Sequence, residues 1–166
     1  NGWYTLTGSG DLVINDHIDT LIGGILDDGS IAILGGSSNP GHPYVAALVR
    51  SPEDGGLSDA TLSGTYHVVC FTHTPAGYVS TYGTFSSNGT GHWAVIASGK
   101  AESASLPPAT TSGTYHVGEH GKLDLHLSSG DILEGGVSAD GGFACLAAGM
   151  TPTMVVPPQI WLLVRR

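Results

Sequence analysis

Positive charge is scarce in this chain. Its 166 residues include only five lysines and arginines against 14 aspartates and glutamates, which gives a formal net charge of −9. Proteins that bind nucleic acids or anionic membranes need basic side chains to displace the counterions of phosphates. We therefore expect no nucleic-acid partner. The simplest role of the acidic surface is solubility.

Cysteine and long apolar runs are also scarce. The two cysteines, Cys70 and Cys145, each lie in the middle of a predicted strand. They form one disulfide if those strands are neighbours, or remain two buried thiols. The longest apolar run, near Met154 to Val164, is broken by Pro157-Pro158 and is too short for a membrane helix. We expect no membrane insertion.

Motifs for catalysis are missing. There is no G-x-S-x-G, no H-E-x-x-H and no phosphate-binding loop. Cys70 lies in the apolar run VVCF, which is typical of an inert thiol rather than a nucleophile. His116, Asp124 and His126 share one solvated strand face, but a His116–Asp124 surface pair is a simpler account than zinc. We predict no catalytic residue, no metal and no cofactor.

Glycine is what the chain has in excess. It contains 26 glycines and 9 prolines, 40% of its residues are hydrophobic and only 11% are charged, whereas ordinary glycine usage is about 7%. Asp-Gly or Asn-Gly pairs follow apolar runs at Asp28-Gly29, Asn88-Gly89 and Asp140-Gly141, and such pairs are strong hairpin signals. Many short strands separated by glycine turns predict an all-β protein.

The hairpins belong to an internal duplication. Residues 112–166 repeat the plan of residues 1–50 across five successive strands, and a divergent middle unit covers residues 62–99. Residues 51–62 and 100–111 are polar and rich in Pro, Gly or Ser, so they are interpreted as connecting segments. We predict a single all-β domain, 1–166, built of three quasi-repeats (1–50, 62–99 and 112–166).

Register follows from burial. A three-residue loop with glycine in its third position aligns apolar residues on one face of each opening hairpin. The predicted pairs are Leu6–Leu12, Tyr4–Ile14, Val117–Leu123 and Tyr115–Leu125, with His116 opposite Asp124 on the other face. Two-residue turns at Asp28-Gly29 and Asp140-Gly141 instead leave both strand faces apolar, with Ile25 opposite Ala32. We expect a second sheet, another subunit or a neighbouring module to cover each face.

Aromatic residues concentrate in the middle unit. A two-residue turn at Asn88-Gly89 puts Tyr82 and Trp93 on one face, with Phe85 and His92 on the other. Aromatic rings on a β surface stack on sugars or line an apolar pocket, and they also form ordinary cores. The candidate ligand-binding residues are Tyr78, Tyr82, His92 and Trp93.

These patterns predict an antiparallel meander of about 12–13 short strands, closed as a barrel or packed as a twisted sandwich. A β-trefoil and a propeller fragment are the alternatives. The strand openings Gly2-Trp3-Tyr4 and Gly113-Thr114-Tyr115 resemble the G-x-W opening of the calycin barrels (lipocalins and avidins). This resemblance covers three-residue pieces only and implies a carrier of small apolar ligands as one function.

The leading functional prediction is a non-enzymatic module, secreted or in the cell envelope, with a structural or interaction role. Its expected partner is another subunit or a neighbouring module of the same protein. The alternative is a lipocalin-like barrel that carries a small apolar ligand, and sugars are a further ligand class. A hydrolase ranks below both.

Overall fold

The computed structural model describes residues 3–8, 10–15, 20–25, 29–37, 43–50, 52–74, 77–101, 104–148 and 159–166. These residues form antiparallel strands and a short 3₁₀ helix, Asp59–Leu62. The strands are β1 Trp3–Leu6, β2 Asp11–Asn15, β3 Thr20–Ile25, β4 Ile31–Ser37, β5 Pro43–Val49, β6 Ser63–Thr74, β7 Gly77–Asn88, β8 His92–Ala101, β9 Ala104–Val117, β10 Lys122–Leu127, β11 Ile132–Val137, β12 Phe143–Ala148 and β13 Gln159–Arg165. The predicted all-β, antiparallel fold is confirmed.

The chain divides into two compact units, residues 1–50 and 51–166. The first is a five-stranded sheet in the order β1-β2-β3-β4-β5. The second is a closed eight-stranded barrel in the order β10-β11-β12-β13-β6-β7-β8-β9, so the barrel is confirmed among the predicted architectures. The single domain of three quasi-repeats stays a prediction. In the described residues no helix is long and apolar enough to cross a membrane, and residues 154–158 of the predicted apolar run lie outside them.

The opening hairpins have the predicted registers. Tyr4 pairs with Ile14 and Leu6 with Leu12 in the first unit. In the barrel, Val117 pairs with Leu123, Tyr115 with Leu125 and His116 with Asp124. Each loop has its glycine at positive φ, 85° at Gly10 and 82° at Gly121, a conformation that costs glycine little.

The Asp-Gly hairpins also have the predicted registers, although the bend differs. Ile25 pairs with Ala32, and Val137 pairs with Ala144. At the second hairpin, the Gly141 N–H donates to the Ser138 carbonyl at 2.8 Å. The centre of this turn is therefore Ala139-Asp140 rather than the predicted Asp140-Gly141. Asp28, the first half of the other predicted pair, lies outside the described residues.

The turn at Asn88-Gly89 corrects a prediction. Ser87 pairs with Trp93 rather than with Thr90, because the Asn88 side-chain oxygen accepts hydrogen bonds from the N–H groups of Thr90 at 2.9 Å and His92 at 3.0 Å. These bonds hold a longer loop. The pairing of β8 with β7 is thus displaced by three residues from the predicted register. Because three is an odd number, each β8 side chain lies on the opposite face of the sheet from the one predicted relative to β7.

Residues 100–101 and 104–111 are a second correction, because they are strand rather than connecting segment; residues 102–103 lie outside the described residues. β8 runs to Ala101 and β9 starts at Ala104. Pro107 and Pro108 fall where the β8–β9 register shifts, and the part of β9 that precedes Gly113 does not pair with β10. A proline needs no ladder partner at such a bulge or edge.

Candidate interaction surface

The barrel interior is filled with aromatic side chains. The Phe85 ring stacks on Trp93 with centroids 5.7 Å apart, Tyr66 meets Phe85 edge-on at 5.9 Å, and Trp161 meets Trp93 edge-on at 5.9 Å. Trp93 is buried, and its indole N–H donates to the Thr114 carbonyl at 3.1 Å. Trp93 therefore belongs to the core and offers no exposed ring to a surface ligand.

The 3₁₀ helix Asp59–Leu62 packs into this core at the end of the barrel where β9 meets β10. Leu62 is fully buried with the interior side chains. The Tyr115 hydroxyl donates to the carbonyls of Asp59 at 2.9 Å and Leu62 at 3.1 Å. The Val117 N–H donates to the Asp59 carboxylate at 2.7 Å, and the Ser87 hydroxyl also donates to the Leu62 carbonyl. These bonds satisfy polar groups that would otherwise be costly at a closed barrel end.

Arg165 joins this helix to the β11–β12 hairpin. Its guanidinium donates to the Asp140 carbonyl at 3.1 Å and to two carbonyls of the segment 61–63 at 3.0 and 3.1 Å. The same group lies 5.5 Å from the Tyr66 ring centre, and the Tyr66 hydroxyl donates to the Gly141 carbonyl at 3.0 Å. The donors of Arg165 are thus used inside the fold rather than presented to an anionic ligand.

The histidine and carboxylate side chains near β10 form ion pairs other than the predicted one. His116 Nδ1 is 3.3 Å from Asp59 Oδ1, while Lys122 Nζ is 2.9 Å from both Asp124 Oδ1 and Glu134 Oε1. The hydrogen bonds to Glu134 and then Asp124 raise the pKa of Lys122. Three or more His, Cys, Asp or Glu side chains do not come together as a metal site anywhere in the described part of the chain.

The two cysteines are free, buried thiols. Cys70 pairs with Trp161 on the inward face of β6, whereas Cys145 pairs with Leu162 on β12. Strand β13 lies between these two strands. Burial raises the pKa of each thiol to about 11, so neither has the thiolate character that nucleophilic chemistry needs.

Large apolar side chains lie exposed on the outside of the barrel. We call this set the outer wall: it consists of Val69, Phe71, Tyr78, Tyr82, Ile96 and Val164. Val69 on β6 pairs with Tyr82 on β7 and, on its other side, with the half-buried Leu162 on β13, so the apolar surface extends from the wall across three strands. Two formally charged residues lie at the margins of these registers: Lys100 opposite Ser80, and Arg165, which follows Val164 and pairs with Tyr66.

The structure brings together two of the four predicted binding residues. Tyr78 and Tyr82 are both exposed in the outer wall. His92 is exposed at the start of β8, near the hairpin loop, and Trp93 is buried. Sequence reasoning missed Val69 and Phe71, although the uninterrupted run VVCF is a signal that both faces of a strand are apolar.

Comparisons with known proteins identify no family. No protein-family model matches the chain, and no curated protein matches it. Among solved structures, a redesigned β-barrel is similar with a TM-score of 0.42 and 15% sequence identity, covering 65% of this chain and 94% of that chain. A likeness at this level assigns no family, ligand or activity.

Proposed function

We propose that this protein is a non-enzymatic, extracytoplasmic module whose role is structural or interactive, and whose outer wall contacts another subunit of the same protein. The observation that carries the proposal is an exposed, continuous apolar wall on a barrel whose interior is filled by its own side chains. Few charges and many small polar residues support the extracytoplasmic location.

The outer wall has the chemistry of an interface centre. Such centres are enriched in aromatic residues and depleted of charge, and rigid rings bury large areas at small entropic cost. Tyr78, Tyr82 and Phe71 supply the rings. Each buried square ångström of apolar surface contributes about 25 cal/mol. Antiparallel strands can also pack face to face against the same strands of a second copy.

The net negative charge of each chain makes the association of two copies depend on the salt concentration. Each chain has a formal net charge of −9, so two copies repel each other at long range. That repulsion is screened within about 10 Å at 0.1 M salt, whereas apolar burial at the wall is not weakened by salt. We expect association to strengthen as the salt concentration rises.

Sedimentation velocity across protein and salt concentrations tests the proposal. The wild-type chain should associate, and Phe71→Lys should lower the association constant by at least about tenfold because it puts a charge in the buried contact. Thr65→Lys is the matched control, since Thr65 is also exposed on β6 but lies away from the wall. A wild-type chain that stays monomeric throughout, or two variants that behave alike, would overturn the proposal.

The carrier of a small apolar ligand is the second candidate, supported by the barrel itself. A ligand inside would have to occupy space now taken by the Phe85–Trp93 stack. Native mass spectrometry of freshly purified protein separates the candidates, since a co-purifying apolar molecule at one per chain favours the carrier.

A hydrolase would instead show activity in a broad substrate screen, lost on substitution of His67.

A further inference from the structure

The five-stranded sheet of the first unit has the same registers as five strands of the barrel. Leu12 pairs with Gly23 and Gly23 with Leu34, as Leu123 pairs with Gly135 and Gly135 with Leu146. The last pair of strands agrees as well, because Ala32 pairs with Leu48 and Ala144 with Leu163. Strands β1–β5 therefore correspond to β9–β13, residue by residue.

The turns of the two sets of strands agree as closely. The Ile25 N–H donates to the Gly10 carbonyl at 3.0 Å, and the Val137 N–H donates to the Gly121 carbonyl at 2.9 Å. At the last strand of each set, the Arg50 N–H donates to the Ser30 carbonyl and the Arg165 N–H donates to the Gly142 carbonyl, both at 2.8 Å. Gly29 and Gly141 have φ of 70° and 65°.

Burial differs between the sets, and most strongly at the outermost strands. The central residues Leu12, Ala32 and Leu34 are buried, as their barrel equivalents are. Tyr4, Leu6 and Leu48 expose 74%, 51% and 47% of their surface, whereas the equivalent Tyr115, Val117 and Leu163 expose 3%, 2% and 0%. In the barrel, β8 pairs with β9 and β6 pairs with β13, so β6, β7 and β8 cover the positions that stay open in the first unit.

Strand direction limits what can close the open sheet. Four successive antiparallel pairings separate β1 from β5, so these two edges run parallel to each other. An antiparallel closure then needs an odd number of added strands. The barrel uses three, and eight strands enclose just enough space for side chains to fill.

We propose that the first unit is five-eighths of a second barrel, and that a three-stranded antiparallel meander of the β6–β8 kind completes it. The partner would pair with the edges of β1 and β5 that no other strand of the described residues occupies. Its inward face would carry apolar and aromatic residues such as Val68, Phe85 and Val95, which belong to the same core as Val117 and Leu163 in the barrel. This inference does not depend on the outer wall, because it concerns a different unit of the chain.

The test supplies the missing strands to the complete chain. A second copy of residues 52–112 is fused directly before Gly2. The new junction then has the same residues, Ser-Gly, as Ser112-Gly113 in the barrel. Amide hydrogen exchange of β1 and β5 should slow by about tenfold or more, because their free edges gain ladder partners. The control carries the same extension with Val68→Lys and Val95→Lys in the added copy, which prevents it from covering an apolar face. Equal exchange in the two proteins would overturn the proposal.

A second copy of the chain is the competing occupant. Native mass spectrometry of the unextended chain and of two single variants, Leu6→Lys and Thr5→Lys, distinguishes a second copy of the chain from the proposed meander. These neighbours lie on opposite faces of β1, and Leu6 is the one on the open apolar face. A dimer lost in Leu6→Lys but kept in Thr5→Lys would show that another copy covers this face, and the proposal would be wrong. Loss through Phe71→Lys concerns only the outer wall and leaves this inference standing.

Discussion

Gly135 gives the sharpest test of how the barrel is built. It lies in the middle of β11, opposite Leu123 and Leu146. A methyl group added there would overlap the carbonyl oxygen of Cys145 and lie 2.8 Å from the Leu146 Cα atom. The strand is bent so that a Cβ at this residue would point along the sheet toward β12. Glycine at such bends lets a sheet curve into a barrel.

The cost of Gly135→Ala follows from this geometry. Real Cβ contacts are almost never closer than 3.0 Å, so β12 would have to move by more than 1 Å to clear the Cys145 carbonyl oxygen. Such overpacking costs about 1–3 kcal/mol, and two weakened ladder hydrogen bonds add about 1 kcal/mol each. We expect a loss of about 3–5 kcal/mol. This is a large part of the roughly 5–15 kcal/mol that stabilises a typical domain.

Equilibrium unfolding in urea, followed by tryptophan fluorescence, measures the effect, because Trp93 and Trp161 report on the barrel core. Gly118→Ala is the control: its added methyl would lie 3.8 Å from the Lys122 carbonyl, which is an ordinary contact. The control should be unchanged, or stabilised by about 0.4–1 kcal/mol through the unfolded chain. If Gly135→Ala unfolded within about 0.5 kcal/mol of the control, the close approach of β11 and β12 would not be a real constraint.

Two further predictions concern titratable groups. The Ser138 hydroxyl, the Gly142 N–H and Arg165 hold the pKa of Asp140 below its ordinary value, so the stability from this carboxylate is present above about pH 4 and lost as the pH falls through the lower folded value. Thermal unfolding of Asp140→Asn between neutral and acid pH should vary less than that of the wild type, and parallel curves would contradict the assignment. With thiol pKa values of about 11, about one thiol in a thousand is ionised at pH 8. Cys70 and Cys145 should therefore react slowly with a thiol reagent in the native protein and fully in guanidinium. Rapid native labelling of either would refute the burial.

The hairpins were predictable because their signals are local. A glycine in the third loop position, with apolar residues on one face, was enough to place Tyr115 opposite Leu125. At Asn88-Gly89 the same kind of reasoning was wrong, because the Asn88 side chain bonds two N–H groups of the loop and lengthens it. The candidate surface was found only in part, since the face on which Tyr82 and Trp93 lie depends on that register.

The sequence by itself determined the all-β class and the registers of four hairpins, since turn glycines and strand periodicity are encoded within a few residues. Only the tertiary structure decided that β13 pairs with β6, that eight strands close while five stay open, and that Trp93 is core while Tyr82 is exposed. Those outcomes depend on pairings between residues far apart in the chain, whose closure entropy and edge partners leave no local pattern.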